Sequence, residues 1–227
     1  MNTKETFALV TGGATGIGRD IATMLAEEGY HLIITGQSSE SLAAVAAAIK
    51  SRFSVIVHTY ETDLSDSDDA FILHRDIKNQ GIQIAVVVHS VHGQSRFEEF
   101  ARAGIDKQHE VIHCNVMNVV VLSRLFLPEM ISRNHGVLIS AIADKQMDDD
   151  LNAVYIASIA FLDSFMSSLK SELLGCGVSV RNIRSGTMKD ISFSTKGEFH
   201  TKSKVKASLT QIHHDRDGYE SFMRDDK

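Results

Sequence analysis

Tyr155 stands at the head of the run Tyr155-Ile156-Ala157-Ser158-Ile159. A phenol so placed can hand its proton to a developing alkoxide. Its ordinary pKa of about 10 must first be pulled down, and each unit needs about 1.4 kcal/mol of preference for the phenolate. A neighbouring cation is the usual source of that preference. One helical turn on, where such a cation would sit, is Ile159, which carries no charge. Taken alone, Tyr155 is read equally well as a packed or capping aromatic.

A second chemical stretch lies near the amino end, Thr11 to Gly18, with the sequence Thr-Gly-Gly-Ala-Thr-Gly-Ile-Gly. It follows the apolar run Phe7-Ala8-Leu9-Val10 and opens a helix-like segment, Arg19 to Glu28. Strand, glycine-rich turn and helix in that order form a phosphate cradle. The glycines tighten the turn and let a pyrophosphate approach bare backbone, and the helix start offers unpaired N–H groups. Gly12, Ala14, Thr15, Gly16, Ile17 and Gly18 are the cradle candidates; the competing reading is a purely structural turn.

Three further positions follow strand-like runs. After the second comes Thr35-Gly36-Gln37-Ser38. An acidic side chain here would hold an adenosine ribose hydroxyl and a basic one a 2′-phosphate. Gln37 is neither, and the missing carboxylate removes a repulsion, so NADP is favoured and NAD is the alternative. Asp63, followed by Leu64, can accept from an adenine amino group; its other reading is part of a helix-start signal, which Ser65 or Asp66 supplies equally well. The fourth run ends in His89-Ser90-Val91-His92-Gly93, where a histidine in a cleft would titrate near neutral pH. His89, His92 and His113 lack a carboxylate or thiolate arrangement with ligand spacing, so no metal site is expected.

These groups need a frame. Strand-like runs at Phe7–Thr11, His31–Thr35, Val55–Tyr60, Ile84–His89, Val137–Ser140 and Val178–Ile183 alternate with helix-like segments. The segments are Arg19–Glu28, Ser41–Lys50, Asp66–Asn79, Ile105–Phe126 and Asn152–Leu174. Continuous runs such as Ala85-Val86-Val87-Val88 mark parallel strands covered on both faces. Strand–helix alternation predicts an α/β, doubly wound parallel sheet of six strands with helices on both faces. Ligands on such a sheet bind at the carboxyl ends of its strands.

The chain has 227 residues, 43% of them hydrophobic, and a formal charge of −6. That suffices for one core and argues against a nucleic-acid footprint or a basic membrane face. Met1 to Phe7 has no signal-peptide pattern and no apolar run reads as long enough to span a bilayer, so a cytoplasmic protein without membrane contact is expected. Cys114 and Cys176 are then read as free thiols. The expected organisation is residues 1–190 as the nucleotide-binding part with the active site and 191–227 as a polar tail, with Lys202 to Met223 as a surface helix or partly ordered.

Taken together, the motifs resemble the short-chain dehydrogenase/reductase family, whose fold is Rossmann-like. Thr11, Gly12, Gly16, Ile17 and Gly18 match its cofactor motif, Asp63 its adenine-contacting Asp, and Tyr155 the Tyr of Tyr-x-x-x-Lys. Asn115, followed by Leu127-Pro128-Glu129-Met130, matches the helix carrying the family's Asn. The resemblance implies that Tyr155, Ser140 and Asn115 are catalytic, with Ser140 chosen as the one hydroxyl on its strand end. An ungapped count back from Tyr155 lands instead on Ile142. It further implies that Gly186, in Arg184-Ser185-Gly186-Thr187, flanks a nicotinamide, and that His89-Ser90-Val91-His92 replaces Asn-Asn-Ala-Gly. The family Lys is Ile159 here; Lys145 and Lys189 lie on loops near the cleft by analogy. The implied activity is NAD(P)(H)-dependent reduction or oxidation of a small carbonyl or alcohol, slowed by Ile159. A non-catalytic nucleotide-binding role in sensing or assembly is the other. Assembly as a homodimer or homotetramer is implied as well.

Overall fold

The computed structural model describes residues 6–64, 67–90, 99–142, 153–184, 191–193 and 199–201. Gly186, His92, Lys145, Lys189 and the segment Lys202 to Met223 fall outside them, as does the boundary expected at residue 190.

Six parallel strands form the central sheet: β1 Phe7–Thr11, β2 His31–Gly36, β3 Val57–Glu61, β4 Ile84–Ser90, β5 Gly136–Ile142 and β6 Val178–Arg184. Their order is β3-β2-β1-β4-β5-β6. The order reverses between β1 and β4, which are direct neighbours with Thr11 opposite His89. β1, β4 and β5 are buried along nearly their whole length. Continuous Val, Ile and Leu are what a sheet layered on both sides demands.

The helices divide between the two faces. α1 (Gly16–Glu27) and α2 (Ser39–Arg52) cover one, where Ile17, Ile21, Leu25, Leu42 and Ile49 pack on Ala8, Val10, Val88 and Ile139. α3 (Ser67–Asn79), α5 (Asn118–Ser132) and α6 (Ala153–Glu172) cover the other, where Leu73, Ile77, Leu122, Phe126, Met130 and Met166 pack on Leu9, Val87 and Leu138. α2 is capped by Ser38, whose hydroxyl accepts from the Ser41 N–H over 3.2 Å. That bond satisfies one of the donors a helix start leaves unpaired.

The helix expected over Ile105–Phe126 is longer and of mixed type. α4 (Ile105–Ile112) runs through a π-helical segment, His113–Met117, directly into α5. Pro128 lies within α5, where it removes one backbone donor. A short antiparallel pair, β7 (Ile191–Phe193) with β8 (Phe199–Thr201), stands apart from the main sheet. The sequence reading had no strand beyond Asp190; the segments are three residues each, too short for a period to register.

The expectation that no helical run is long enough to span a bilayer also needs correction. By length and composition, Ile105–Ser132 and Ala153–Glu172 both are. In this fold their inner faces are sheet-covering layers, which calls for the same apolar composition.

Candidate active site

At the carboxyl edge of the sheet, Thr11 ties β1 to β4. Its hydroxyl donates to the Val88 carbonyl over 3.3 Å and accepts from the Ser90 N–H over 3.2 Å. This fixes the seam where strand order reverses. The chain then turns through Gly12 (φ +63°), and the Gly13 N–H donates to the Thr35 carbonyl over 2.9 Å.

Two glycines of this turn have distinct steric duties. A Cβ on Gly18 would lie 2.3 Å from the Gly12 carbonyl oxygen, so only glycine lets α1 start this close to the turn. Gly16 has φ +51° and open space where a Cβ would stand. Its backbone is bare on the outward side. Thr15, the N-cap of α1, makes no side-chain cap bond, and the first turn carries no acidic residue. The helix start thus presents its N–H groups to a ligand rather than to its own side chains.

A cleft of about 190 Å³ opens beside this turn. It is lined by Gly12, Ala14 and Thr15 from the turn, by Thr35, Gly36, Gln37, Ser38 and Ser41 from β2 and α2, by Thr62, Asp63 and Leu64 after β3, and by Ser90 and Cys114. Gln37 donates its side-chain amide to Asp63 over 3.1 Å, so the two candidates for the adenosine end meet. No basic side chain lines it among the described residues, and its one carboxylate is Asp63. A smaller hollow, sharing Thr11, Leu64, Ser90 and Cys114, continues inward to Asn115 and Asn118.

Of the candidates, Gly12, Ala14, Thr15, Gln37, Asp63, Leu64 and Ser90 are thus brought together around one cleft. Ile17 is buried in the core below α1. His89 lines the inner hollow, but its titration differs from expectation. It is buried, and its Nε2 lies 3.1 Å from the Ser123 hydroxyl on α5. Burial pushes its pKa down to about 4, so it is a neutral ring and does not titrate near pH 7. Among the described residues no group of three His, Cys, Asp or Glu side chains is arranged to hold a metal.

Cys114 and Ser38 line the cleft without having been singled out for it. Both cysteines are free, and burial, with help from Glu110 and Asp63, pushes the Cys114 thiol up to about 12. Ser38 was readable as a helix start; Cys114 owes its place to the π segment, for which the sequence has no plain mark.

Tyr155 sits in the first turn of α6, 2% exposed, in a cluster with Val111, Val119, Ile142 and Leu162; Ile159 packs against it. Asn115, in the π segment, donates to the Ser158 hydroxyl over 3.1 Å, and Ser158 donates to the Tyr155 carbonyl over 2.7 Å. A buried chain of bonds therefore runs from the sheet-side helix to the backbone of Tyr155. Burial raises the Tyr155 pKa, and Arg184 at the end of β6 acts in the opposite sense. Ser140 is fully buried in the register position opposite His89, and its hydroxyl has no partner among the described residues. Two residues on, Ile142 belongs to the apolar cluster of Tyr155.

A sequence model described as short chain dehydrogenase matches residues 6–200. The chain belongs to the short chain dehydrogenase family. It is 31% identical over 183 residues to a very-long-chain 3-oxoacyl-CoA reductase of Rattus norvegicus, covering 78% of this chain and 57% of that protein. Over 217 residues it is 30% identical to the enzyme of the same name from Phaeosphaeria nodorum, covering 92% of this chain and 64% of the relative. The chain thus spans well under two thirds of the rat relative and slightly under two thirds of the fungal one. Among solved structures, a metagenomic short-chain oxidoreductase in complex with NADP superposes with a TM-score of 0.72 at 26% identity, covering 85% of this chain and 87% of that one. For this member of the short chain dehydrogenase family, the glycine turn and the cleft beside it are polar and open, whereas Tyr155 lies in a buried apolar cluster that includes Ile142 and has Ile159 packed against it.

Proposed function

We propose that this protein is an NADP(H)-dependent oxidoreductase acting on a small carbonyl or alcohol, with Tyr155 as the proton donor and acceptor. The observation that carries the reading is the cradle: Gly16 bare on its outward side, Gly18 closed against Gly12, and α1 uncapped beside an open polar cleft. A bound nicotinamide dinucleotide supplies the hydride. Gly12, Thr15 and Gly16 would hold its diphosphate, Asp63 its adenine, and the Gln37 end its ribose, where a 2′-phosphate meets no carboxylate of residue 37. The NADP-bound metagenomic relative supports that preference.

Tyr155 moves a proton at its phenolic oxygen, and the Asn115–Ser158 chain holds its backbone in place. Ser140 is assigned no contact with substrate, because its hydroxyl is sealed inside the sheet layer. Turnover is slow. With Ile142 and Ile159 flanking Tyr155, neither a second hydroxyl nor an ammonium assists from those positions. A charge-assisted bond lost there weakens the transition state by about 1.5–3 kcal/mol, or about tenfold to a hundredfold in rate.

The same two isoleucines favour a second reading, a nucleotide-binding family member without chemistry that acts in sensing or assembly. Binding of NADPH and NADH, followed by a carbonyl panel read through NADPH absorbance, separates the two. Turnover abolished in Tyr155→Phe supports the enzyme; tight binding without turnover on any carbonyl supports the second reading. We further propose a cytoplasmic homodimer or homotetramer, for which the apolar outer faces of α4 and α6, with Ile105, Ile112 and Ile156 exposed, are the contact surface.

A further inference from the structure

The charge that position 159 lacks has another source in this fold. β5 and β6 run in register, with Ile142 opposite Arg184. Ile142 belongs to the buried cluster that holds Tyr155. Arg184 therefore leaves the sheet one strand over from the phenol. Side-chain alternation along β6 sets its direction: Ile183 enters the core under α1 and α2, while Val180 enters the opposite layer. Asn182 and Arg184 consequently rise toward α6.

There both meet one carboxylate. Asn182 donates to Asp163 over 3.1 Å, and the Arg184 guanidinium pairs with the other Asp163 oxygen at 2.8 Å. Asp163 lies on the same helix as Tyr155, about two turns on. A guanidinium does not lose its proton in a protein, so the charge is permanent.

We propose that Arg184, held by Asp163, is the cation that stabilises the phenolate of Tyr155 in this chain. The proposal rests on the oxidoreductase reading for its catalytic consequence but not for its physical content. Charged or titratable groups on the elements packed around Tyr155 are Asp106, Lys107, His109 and Glu110 on α4, His113 and Cys114 in the π segment, Arg124 and Glu129 on α5, Arg181 and Arg184 on β6, and Asp163, Lys170 and Glu172 on α6 itself. Among the described residues, Arg184 is the one whose field opposes the effect of burial on Tyr155.

Phenolate absorbance titration of the whole protein tests this without nucleotide or substrate. Subtracting the curve of Tyr155→Phe isolates the Tyr155 midpoint. In Arg184→Gln and Arg184→Met that midpoint rises by about one pH unit, a tenfold loss of phenolate at a given pH. Arg184→Lys keeps most of the wild-type value, and Arg181→Gln, which removes a charge from the same strand, leaves it unmoved. If activity is present, the alkaline limb of its pH profile moves with the midpoint. A wild-type midpoint in a folded Arg184→Gln or Arg184→Met protein overturns the proposal, as does a shift in Arg184→Lys equal to that in Arg184→Gln. Should the neutral variants fail to fold, the wild type decides through Tyr30, which is also buried but faces Glu28 instead of a cation. Tyr155 then titrates below Tyr30, each assigned by its Phe variant, and the reverse order overturns the assignment. Absence of turnover with the midpoint shift present would remove the enzyme reading and leave the Arg184–Tyr155 coupling standing.

Discussion

The side-chain amide of Gln37 donates to the carboxylate of Asp63 over 3.1 Å and joins the ends of β2 and β3 across the mouth of the cleft. Asp63 is the acceptor proposed for an adenine amino group, and Gln37 stands where the ribose is proposed to lie. Their bond holds the Asp63 carboxylate in place and leaves the Gln37 side without charge. Gln37→Asp replaces that bond with two facing carboxylates. NADPH affinity should fall about tenfold relative to NADH, a difference of about 1.4 kcal/mol. Fluorescence titration with the two nucleotides measures it, and an unchanged ratio would place the 2′-phosphate elsewhere.

The cradle glycines make unequal predictions. Gly18→Ala puts a methyl 2.3 Å from the Gly12 carbonyl, and backbone cannot step aside as a side chain can. Overpacking of this kind costs about 1–3 kcal/mol, so the thermal midpoint should fall by several degrees and nucleotide protection should vanish. Gly16→Ala meets no atom but forces a side chain into φ +51°. Its cost is backbone strain alone, about 1–2 kcal/mol. Thermal shift with and without NADPH distinguishes a crowded turn from a strained one.

His89 predicts an acid limb in stability. Its pKa in the folded protein is lowered to about 4, below its ordinary value of 6.5, so the unfolded chain takes up the proton first. Stability from this residue is complete above about pH 6.5 and declines as pH falls toward 4. The gap corresponds to about 3 kcal/mol. His74 and His135 are lowered as well and act in the same direction. Denaturant unfolding at pH 7 and pH 4.5 should show a smaller difference in His89→Asn than in the wild type. Equal differences would mean that the ring accepts a proton inside the fold.

Ile142 and Ile159 predict a gain of function. The double variant Ile142→Ser, Ile159→Lys places a hydroxyl and an ammonium beside Tyr155. Turnover of a carbonyl substrate should rise by about tenfold to a hundredfold. Removing the buried Ile142 side chain costs about 2–4 kcal/mol of stability, so the rate must be compared well below the unfolding temperature. NADPH consumption gives the readout. No increase with nucleotide binding intact would mean that carbonyls are not positioned at this phenol.

The frame was legible because its inner strands β1, β2, β4 and β5 are buried on both faces, which writes itself as near-continuous apolar runs; the edge strands β3 and β6 alternate with exposed residues. The six strands of the main sheet lie where those runs stand, within two residues at each end. The cradle was legible for a related reason: its glycines answer local backbone demands, visible within eight residues. What could not be read depends on distant partners. Ser140 is the one hydroxyl on the strand end that the apolar run marks, yet the strand continues to Ile142, which belongs to the cluster of Tyr155. His89 lines the inner hollow, but its burial beside Ser123, 34 positions away, keeps it from titrating near neutral pH, and that partner is invisible in sequence. Arg184 and Asp163 are 21 positions apart and meet only because β6 lies beside α6.

The π segment between α4 and α5 also governs how a single rod serves two masters. A regular α-helix from Ile105 to Ser132 would keep one angular phase, and any side chain turned toward α6 would recur along its whole length. The wider turn at His113–Met117 shifts that phase, so Val111 before it and Val119 just after it both join the Tyr155 cluster, while Leu122, Phe126 and Met130 seat on the sheet. Loss of one residue within those five would wind the rod back to a uniform pitch, swing Asn115 off Ser158, and leave both halves intact but out of step.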